Sequence, residues 1–272
     1  MAIGGPWLAA MLAPMARPFL TARWANLAIV TYAVPPALLA PLLPPGSELV
    51  LDERDDLGVL GAAPGHTALV SLVAFEFLST RVMGIRWPTL VNFPEINLRF
   101  YVRQGDHRGV MFVKEIVPRR IIAAIARRWY DEPYVCAPIE ARISQTARHV
   151  QAEYRLHWPG SGIQSIRAVG DKPSLRPKSG SLEHWIKEHQ WGFTRRAGVT
   201  GGAWVYEVIH PIWSIFPLVE ADVQFDFGAV YGSTWAGLTT AKPVSVVLAA
   251  GSEVAVFPRQ RTVHVRWPVK RG

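Results

Sequence analysis

The chain has 272 residues, of which 50% are hydrophobic and 18% are charged, and this composition excludes a disordered or collagen-like protein. The net charge is +8, but the basic residues form neither a stripe nor a known nucleic-acid-binding module, so we expect no nucleic-acid partner. A single cysteine, Cys136, excludes an internal disulfide framework and favours a cytoplasmic location.

The two ends of the chain are expected to lie outside the main domain. Residues 1–17 are apolar, but Pro6 and Pro14 interrupt them, which predicts an N-terminal arm and no membrane span. Residues 259–272 contain no acidic residue and predict a basic C-terminal tail. Between these segments, the sequence predicts a single β-rich domain over residues 18–258.

The first part of this domain predicts two strands and a short helix. Residues 27–32 are apolar and compatible with a strand. Pro35 and Pro36 open a helix over residues 37–40, because proline is tolerated in a first helical turn but not in a helix interior. Residues 68–78 form an apolar run, which is typical of a buried strand.

Residues 95–117 predict a β-hairpin. Apolar and polar residues alternate over 95–102, as they do in a strand with two different faces. The apolar face carries Ile96, Leu98, Phe100 and Val102, and the polar face carries Glu95, Asn97, Arg99 and Tyr101. A turn at 104–107 and a returning strand at 110–117 complete the hairpin.

The rest of the chain predicts a longer helix, more strands and a loop. Pro118 opens a helix to about Tyr130, and the core-facing side is expected to carry Ile121, Ile122, Ile125 and Trp129. Strands are predicted at 139–147, 150–158, 204–209, 244–249, 253–257 and 262–267, with a turn at Gly251-Ser252. Residues 159–181 predict a long loop, after which Ser181 caps a short helix. The apolar surroundings of Cys136 predict a buried structural thiol.

Strands outnumber helices in this interpretation. The sequence therefore predicts an α+β fold that is β-rich, with an antiparallel barrel-like sheet and one or two packed helices. In such a fold, the polar face of residues 95–102 has two interpretations. It is the wet side of a sheet, or it points into an internal pocket, where a few polar groups in an apolar cavity form a small-molecule site.

The position of Lys114 depends on the register of the hairpin. If residues 105–106 form a two-residue turn, Asn97 pairs with Lys114, which then shares the polar face with Glu95. There it would be an ion-pair partner or a tuned nucleophile. A register that differs by one residue would place Lys114 on the opposite face, where a surface ion pair is the alternative.

The sequence contains no motif for metal or cofactor chemistry. His184 and His189 are five residues apart, a spacing that does not align two ligands on one helix face, and His210 adds no recognisable pattern. There is no nucleophile elbow, Walker loop or dinucleotide fingerprint. We therefore expect neither a metal nor a cofactor.

Several segments form a pattern that is typical of one family. They are 18–24 (PFLTARW), 70–75 (VSLVAF), 92–102 (NFPEINLRFYV), 109–112 (GVMF), 115–120 (EIVPRR), 132–134 (EPY), 191–194 (WGFT) and 208–211 (VIHP). Together they resemble the YqjF-like family, also called DUF2071, a bacterial family of unknown function. The resemblance extends from about Pro18 to Phe257.

This resemblance implies a fold similar to that of acetoacetate decarboxylase. In that enzyme a barrel-like sheet surrounds a pocket, and a lysine forms a Schiff base with a β-keto acid. Glu95 matches a glutamate of the enzyme, whereas Tyr134 stands where the Schiff-base lysine would be, and Val135 stands where a second lysine would lower its pKa. A phenol cannot form an imine, so the resemblance does not imply decarboxylation by that route.

Three functional hypotheses follow. The first is a binding protein, or an enzyme of unknown reaction, with an internal pocket for a small anionic or carbonyl-containing molecule. In this pocket Glu95 is the polar anchor, Arg99 holds the anion and Tyr134 donates to the carbonyl. The second is a non-catalytic protein that forms a homo-oligomer or binds a partner, and the third is an imine-forming enzyme that uses Lys114. The candidate pocket residues are Glu95, Asn97, Arg99, Tyr101, Lys114 and Tyr134.

Overall fold

The computed structural model describes residues 17–54, 67–88, 90–187, 189–195 and 202–261. Over these residues the strands are β1 (Leu20–Val34), β2 (Val50–Leu51), β3 (Ala68–Val82), β4 (Phe93–Gln104), β5 (His107–Val117), β6 (Tyr134–Cys136), β7 (Ile139–Gln145), β8 (His149–Trp158), β9 (Gly162–Asp171), β10 (Trp191–Arg195), β11 (Ala203–Ile209), β12 (Ile215–Phe216), β13 (Leu218–Gln224), β14 (Ser245–Val256) and β15 (Gln260–Arg261). This content confirms the expected β-rich fold.

Helices are short and few over the same residues. They are α1 (Pro36–Leu39), α2 (Arg120–Tyr130), α3 (Leu182–Trp185) and α4 (Phe227–Tyr231), with 3₁₀ turns at Ala40–Leu42 and Ser233–Thr239. The predicted cap of α3 is confirmed, because the Ser181 hydroxyl accepts a hydrogen bond from the amide of His184. None of the helices in the described ranges has the length and apolarity that crossing a membrane requires.

Seven strands are paired in a closed ring. In the order β14, β1, β3, β4, β5, β10 and β11, each strand is hydrogen-bonded to the next, and β11 pairs again with β14. The pairing of β5 with β10 is parallel, and the other pairings of the ring are antiparallel. The expectation of a curled, mostly antiparallel sheet is therefore confirmed.

The antiparallel pair β10–β11 is joined to the rest of the ring by few residues. Its contacts are Trp191↔Gly109 and Gly192↔Val110 on the β5 side, and Val208↔Val256 and Ile209↔Ala255 on the β14 side. By comparison, β1 and β14 share eleven residue pairs. The ring is therefore held much more weakly on both sides of β10–β11 than at β1.

A second sheet of four antiparallel strands, in the order β13, β9, β8 and β7, covers the outer face of the ring. Leu98 and Phe100 of β4 share one hydrophobic core with Tyr154 of β8, Ile166 of β9 and Phe227 of α4. The other face of β4 looks into the ring. Because β1 and β3 are covered on both faces, they are apolar over most of their length, whereas β4 alternates between an apolar outer face and a polar inner face.

The prediction of a long loop at 159–181 is wrong in its first half, because Gly162–Asp171 form β9. Gly160 and Gly162 have φ values of +83° and +74°, and they lie in the tight turn that joins β8 to β9. From Gln164 onward, alternate residues of β9 are buried. The glycine-rich stretch is therefore a hairpin turn and not a linker.

The turn predicted at Gly251-Ser252 is also wrong, since β14 runs without interruption. Gly251, with φ of +80°, pairs with Ala25 next to a bulge in β1, where Asn26 has φ of 55°. A bulge bends a strand and increases its twist. The glycine therefore marks a bend within a continuous strand.

Two expectations about burial are wrong as well. In α2, Ile122 packs against the inner core, but Ile121 and Trp129 are 53% and 45% exposed, because only one narrow side of the helix contacts the ring. Cys136 is exposed, because β6 is a short edge strand whose pairing, among the described strands, is with β5.

The predictions for the two ends fall partly outside the described residues. Residues 1–16 of the N-terminal arm and the strand predicted at 262–267 lie there. At the start of the basic tail, Arg259 forms an ion pair with Asp131 at 2.9 Å and lies 4.5 Å from the ring centre of Trp204. The next two residues form β15, which pairs with β11.

Candidate functional site

The ring encloses a cavity of about 150 Å³, and each of its seven strands contributes to the wall. The wall is mostly apolar, with an aromatic set that includes Trp24, Phe75, Phe77, Phe93, Phe112, Tyr130, Trp191 and Trp213. Ile122 and Ile125 of α2 close one end. Apolar walls with a few polar groups are the usual form of a small-molecule site.

Three carboxyl groups lie in this wall. Glu95 comes from β4, Glu115 from β5 and Glu132 from the segment after α2, and the three residues are only 2%, 3% and 4% exposed. Asp131 ends α2 in the left-handed conformation, with φ of 55°, and so turns the chain toward the ring just before Glu132. The three acids come from separate segments, but they face the same enclosed space.

Two tyrosines and one amide hold these carboxyl groups. Tyr134 donates to Glu95 Oε2 at 2.9 Å, and the Asn97 amide donates to Glu95 Oε1 at 2.9 Å. Tyr206 donates to Glu132 Oε1 at 2.8 Å. The β5–β6 pairing sets Tyr134 beside Glu115. The carboxyl groups therefore have fixed orientations, as a binding or catalytic site requires.

The buried position of the acids changes their ionisation. Burial raises the pKa of Glu95 to about 7, against its hydrogen bonds from Asn97 and Tyr134 and the nearby charge of Arg99, which lower it. Burial raises the pKa of Glu132 to about 8. Burial, together with the charges of Glu132 and Glu95, raises the pKa of Glu115 well above its usual value. Glu95 and Glu132 are therefore expected to change their protonation near neutral pH.

Basic groups occupy another part of the same wall. Arg99, Lys187, His189 and His210 line the cavity. Lys187 donates from Nζ to the carbonyl oxygen of Trp213 at 2.8 Å, and burial lowers its pKa to about 8. Burial also lowers the pKa of both histidines. The cavity therefore has an acidic part and a basic part.

Several buried polar atoms of the residues that line this space lack a hydrogen-bond partner. The Nε of Arg99 has none, and neither do Asn97 Oδ1, Glu115 Oε2 and Glu132 Oε2. Leaving such atoms unpaired in a protein interior costs free energy. Unpaired buried polar atoms of this kind are typical of a site that binds a ligand or ordered water.

The structure separates the residues proposed from the sequence into two groups. Glu95, Asn97, Arg99 and Tyr134 line the cavity. Tyr101 is not part of the described lining, although it lies on the inner face of β4. Its hydroxyl group is 2.7 Å from the Ser71 hydroxyl, and its ring packs against Trp185 and His189. Tyr101 therefore packs behind the residues that line the cavity.

The register proposed for Lys114 is wrong. The turn has the predicted pairing of Gln104 with His107, but an extra residue in β5 between Phe112 and Lys114 shifts the ladder. Lys114 therefore lies opposite Leu98 on the outer face, where its ammonium group donates to the carbonyl oxygen of Val230. The bulge moves Lys114 out of the cavity.

We expect borohydride trapping with acetoacetate or pyruvate to leave Lys114 unmodified. An amine on the outer face of the ring cannot attack a carbonyl group that is bound in the cavity. Mass spectrometry of the peptide that carries Lys114, after reduction, measures this directly. A reduced adduct on that peptide would contradict the placement of the lysine.

Sequence reasoning missed several polar residues of the wall, among them His189 and His210, which it considered only as metal ligands. The bulge that removes Lys114 brings in Glu115, which pairs with Asn97. Glu132, Lys187 and Tyr206 also line the cavity. Glu132 and Lys187 lie outside regular strands, and no local pattern in the sequence marks them. In the described part of the chain, no group of three or more His, Cys, Asp or Glu side chains is placed to hold a metal ion.

Comparisons with solved structures identify the fold. An acetoacetate decarboxylase from Legionella pneumophila superposes with a TM-score of 0.59 at 12% identity, over 96% of this chain and 97% of that one. An acetoacetate decarboxylase-like enzyme from Sphingomonas wittichii gives 0.57 at 13% identity, over 89% and 92%. The enduracididine biosynthesis enzyme MppR, in complex with pyruvate, gives 0.58 at 12% identity, over 92% and 93%. The expected similarity in fold is therefore confirmed.

A comparison with protein families identifies the group to which the chain belongs. A search among curated proteins gave no match. The family DUF2071, described as an uncharacterized conserved protein, matches residues 21–253. This range contains all seven strands of the ring except the first residue of β1 and the last three of β14. The chain is therefore a member of the DUF2071 family.

Proposed function

We propose that this protein binds a small anionic or carbonyl-containing molecule in the cavity of the ring. The observation that carries the proposal is the buried Nε of Arg99, which lines the cavity and has no hydrogen-bond partner. A guanidinium group binds a carboxylate with two parallel hydrogen bonds, and an unpaired N–H in an apolar enclosure favours such a ligand.

The size and the walls of the cavity support a small ligand with an apolar body. An engineered apolar cavity of the same volume, about 150 Å³, is known to hold benzene. The aromatic residues of the wall would pack against a ligand of that size. A small organic acid with a planar or short aliphatic body fits both the space and the charge.

The neighbourhood of Glu95 supports a carbonyl group as the second feature of the ligand. Burial and the charges of Glu115 and Glu95 raise the pKa of Tyr134 well above its usual value, so its hydroxyl group stays protonated and donates its single hydrogen to Glu95 Oε2. When Glu95 is protonated, as its pKa of about 7 allows near neutral pH, its O–H can donate to the Tyr134 oxygen and leave the Tyr134 hydroxyl hydrogen for a ligand carbonyl. One structural relative is described in complex with pyruvate, which carries both an anion and a carbonyl.

The arrangement does not support decarboxylation through an imine at Tyr134. A phenol hydroxyl cannot condense with a ketone, and Val135 supplies no charge that could tune a neighbouring group. The proposal is therefore limited to binding at Arg99, Glu95 and Tyr134, and no covalent step is included.

Ligand-induced thermal stabilisation tests the proposal. With 4-acetylbenzoate, which carries an anion and a carbonyl on one ring, at about 100 times its Kd, we expect the Tm of the protein to rise by about 5–10 °C. The Arg99→Met variant should fold and lose this rise, because it removes the anion partner. Glu95→Gln and Tyr134→Phe should fold and show a reduced rise.

A matched control lies on the same strand. Arg103 of β4 is exposed, so Arg103→Met should keep the full stabilisation by 4-acetylbenzoate. If neither 4-acetylbenzoate nor pyruvate raises the Tm, or if Arg99→Met is stabilised as much as the wild type, the proposed function is wrong. If all three cavity variants unfold while Arg103→Met does not, these residues are structural and the proposal is also wrong.

A further inference from the structure

When its carboxyl groups are ionised, the acidic part of the cavity contains more hydrogen-bond acceptors than donors. Asn97 Oδ1, Glu115 Oε2 and Glu132 Oε2 are buried, have no partner and belong to residues that line the cavity. The amide oxygen of Asn97 can only accept a hydrogen bond, so a carbonyl or a carboxylate of a ligand cannot satisfy it. The missing partner at this position is a donor.

The arrangement of these acceptors fits one kind of donor. Asn97 and Glu115 are direct partners in the β4–β5 ladder, and the charge of Glu132 acts on Glu115. A protonated primary amine offers three N–H donors and a positive charge, which matches three acceptors, two of them on acids. Lys187 does not fill this role, because its ammonium group donates to the carbonyl oxygen of Trp213.

The anion site lies close to these acceptors. Arg99 is two residues from Asn97 on the same face of β4, a separation of roughly 6–7 Å along the strand. Glu95 lies at a similar distance on the other side of Asn97, and its oxygens already accept from Asn97 and Tyr134. A ligand that reaches both Arg99 and the free acceptors needs two charged ends that are several bonds apart.

We propose that the ligand of this cavity is an amino acid in the broad sense: a carboxylate at Arg99 and a protonated amine at Asn97, Glu115 and Glu132, joined by an apolar body. The carboxylate half of this proposal rests on the proposed function, and the amine half does not. The carboxyl groups would release protons to the solvent as the ammonium group binds, since a carboxylate holds the cation better than a neutral acid does.

Four compounds on the same ring separate these contributions. They are 4-(aminomethyl)benzoate with both charges, 4-methylbenzoate with the anion alone, 4-methylbenzylamine with the cation alone, and 4-acetylbenzoate with the anion and a carbonyl. We expect isothermal titration calorimetry to show that 4-(aminomethyl)benzoate binds at least tenfold more tightly than each of the other three.

Substitutions without a change in size assign the amine contact. Glu115→Gln and Glu132→Gln should each weaken the binding of 4-(aminomethyl)benzoate at least tenfold. Each should leave the Kd of 4-methylbenzoate within twofold of its wild-type value. The exposed Glu253 provides a control, and Glu253→Gln should change neither Kd. Circular dichroism checks that each variant is folded. If one of the two cavity variants does not fold, the other still tests the amine contact.

Each outcome decides between the two proposals. If 4-methylbenzoate or 4-acetylbenzoate binds in an Arg99-dependent way at least as tightly as 4-(aminomethyl)benzoate, the amine site is wrong and the proposed function stands. If 4-methylbenzylamine binds and neither 4-methylbenzoate nor 4-acetylbenzoate does, the proposed function is wrong and the amine site stands. If none of the four compounds binds, both proposals are wrong.

Discussion

Glu132→Gln should make the protein more stable in alkaline solution, by about 4–5 kcal/mol at pH 9. The pKa of Glu132 is about 8 in the folded protein and 4.5 ordinarily, so the unfolded chain loses this proton at a lower pH than the folded protein. The wild-type protein therefore loses stability as the pH rises from about 4.5 through 8. Glutamine cannot ionise, and it still accepts the hydrogen bond from Tyr206.

Urea denaturation at pH 5 and at pH 9 measures this effect. At pH 5 the variant and the wild type should differ by less than about 1 kcal/mol, because Glu132 is neutral when folded and the pH is only half a unit above the pKa that it has when unfolded. The exposed Glu253 serves as the control, and Glu253→Gln should change stability by less than about 0.5 kcal/mol at either pH. A wild-type protein that is as stable at pH 9 as at pH 5 would contradict the prediction.

Gly251→Ala should destabilise the protein by about 4 kcal/mol, or prevent folding. A Cβ atom at this position would lie 1.9 Å from the carbonyl oxygen of Trp24, at φ of +80°. The obstacle is backbone, and β1 cannot move away because it is paired with β3 on its other edge. Relief of the contact would therefore require the pairing of β1 with β14 to break locally.

Gly84 provides a control for backbone strain alone. It has the same φ of +80°, but a Cβ atom there would have no neighbour within 4 Å. Gly84→Ala should lower the free energy of unfolding by only about 1–2 kcal/mol, which is the ordinary cost of placing alanine in the left-handed backbone conformation. Thermal unfolding of the two variants separates the effects, and equal losses of Tm would show that the close approach to Trp24 is unimportant.

The faces of β4 could be predicted from the sequence, because a strand has a strict period of two. Ile96 and Leu98 pack outward and Glu95 and Arg99 line the cavity, as the alternation indicates. Which face is the inner one could not be predicted. Both faces of β4 are covered, one by the four-stranded sheet and the other by the opposite wall of the ring, and that depends on distant parts of the chain.

Glu115 lies in the cavity wall where Lys114 was predicted, and this difference could not be predicted from the local sequence. The turn and the pairing of Gln104 with His107 followed from turn chemistry. A bulge inserts one residue without a recognisable signal, and every residue beyond it changes face. Glu132 could not be foreseen either, because its position depends on how α2 ends and on the hydrogen bond from Tyr206.

The weak attachment of β10–β11 to the ring makes this strand pair the part of the ring that opens most easily. This strand pair carries Trp191, Gly192, Tyr206 and Val208 of the wall, and two residue pairs hold it on each side. Its detachment breaks fewer hydrogen bonds than any opening between β1 and its neighbours. Local opening of β10–β11 would therefore uncover the interior while the rest of the ring stays paired.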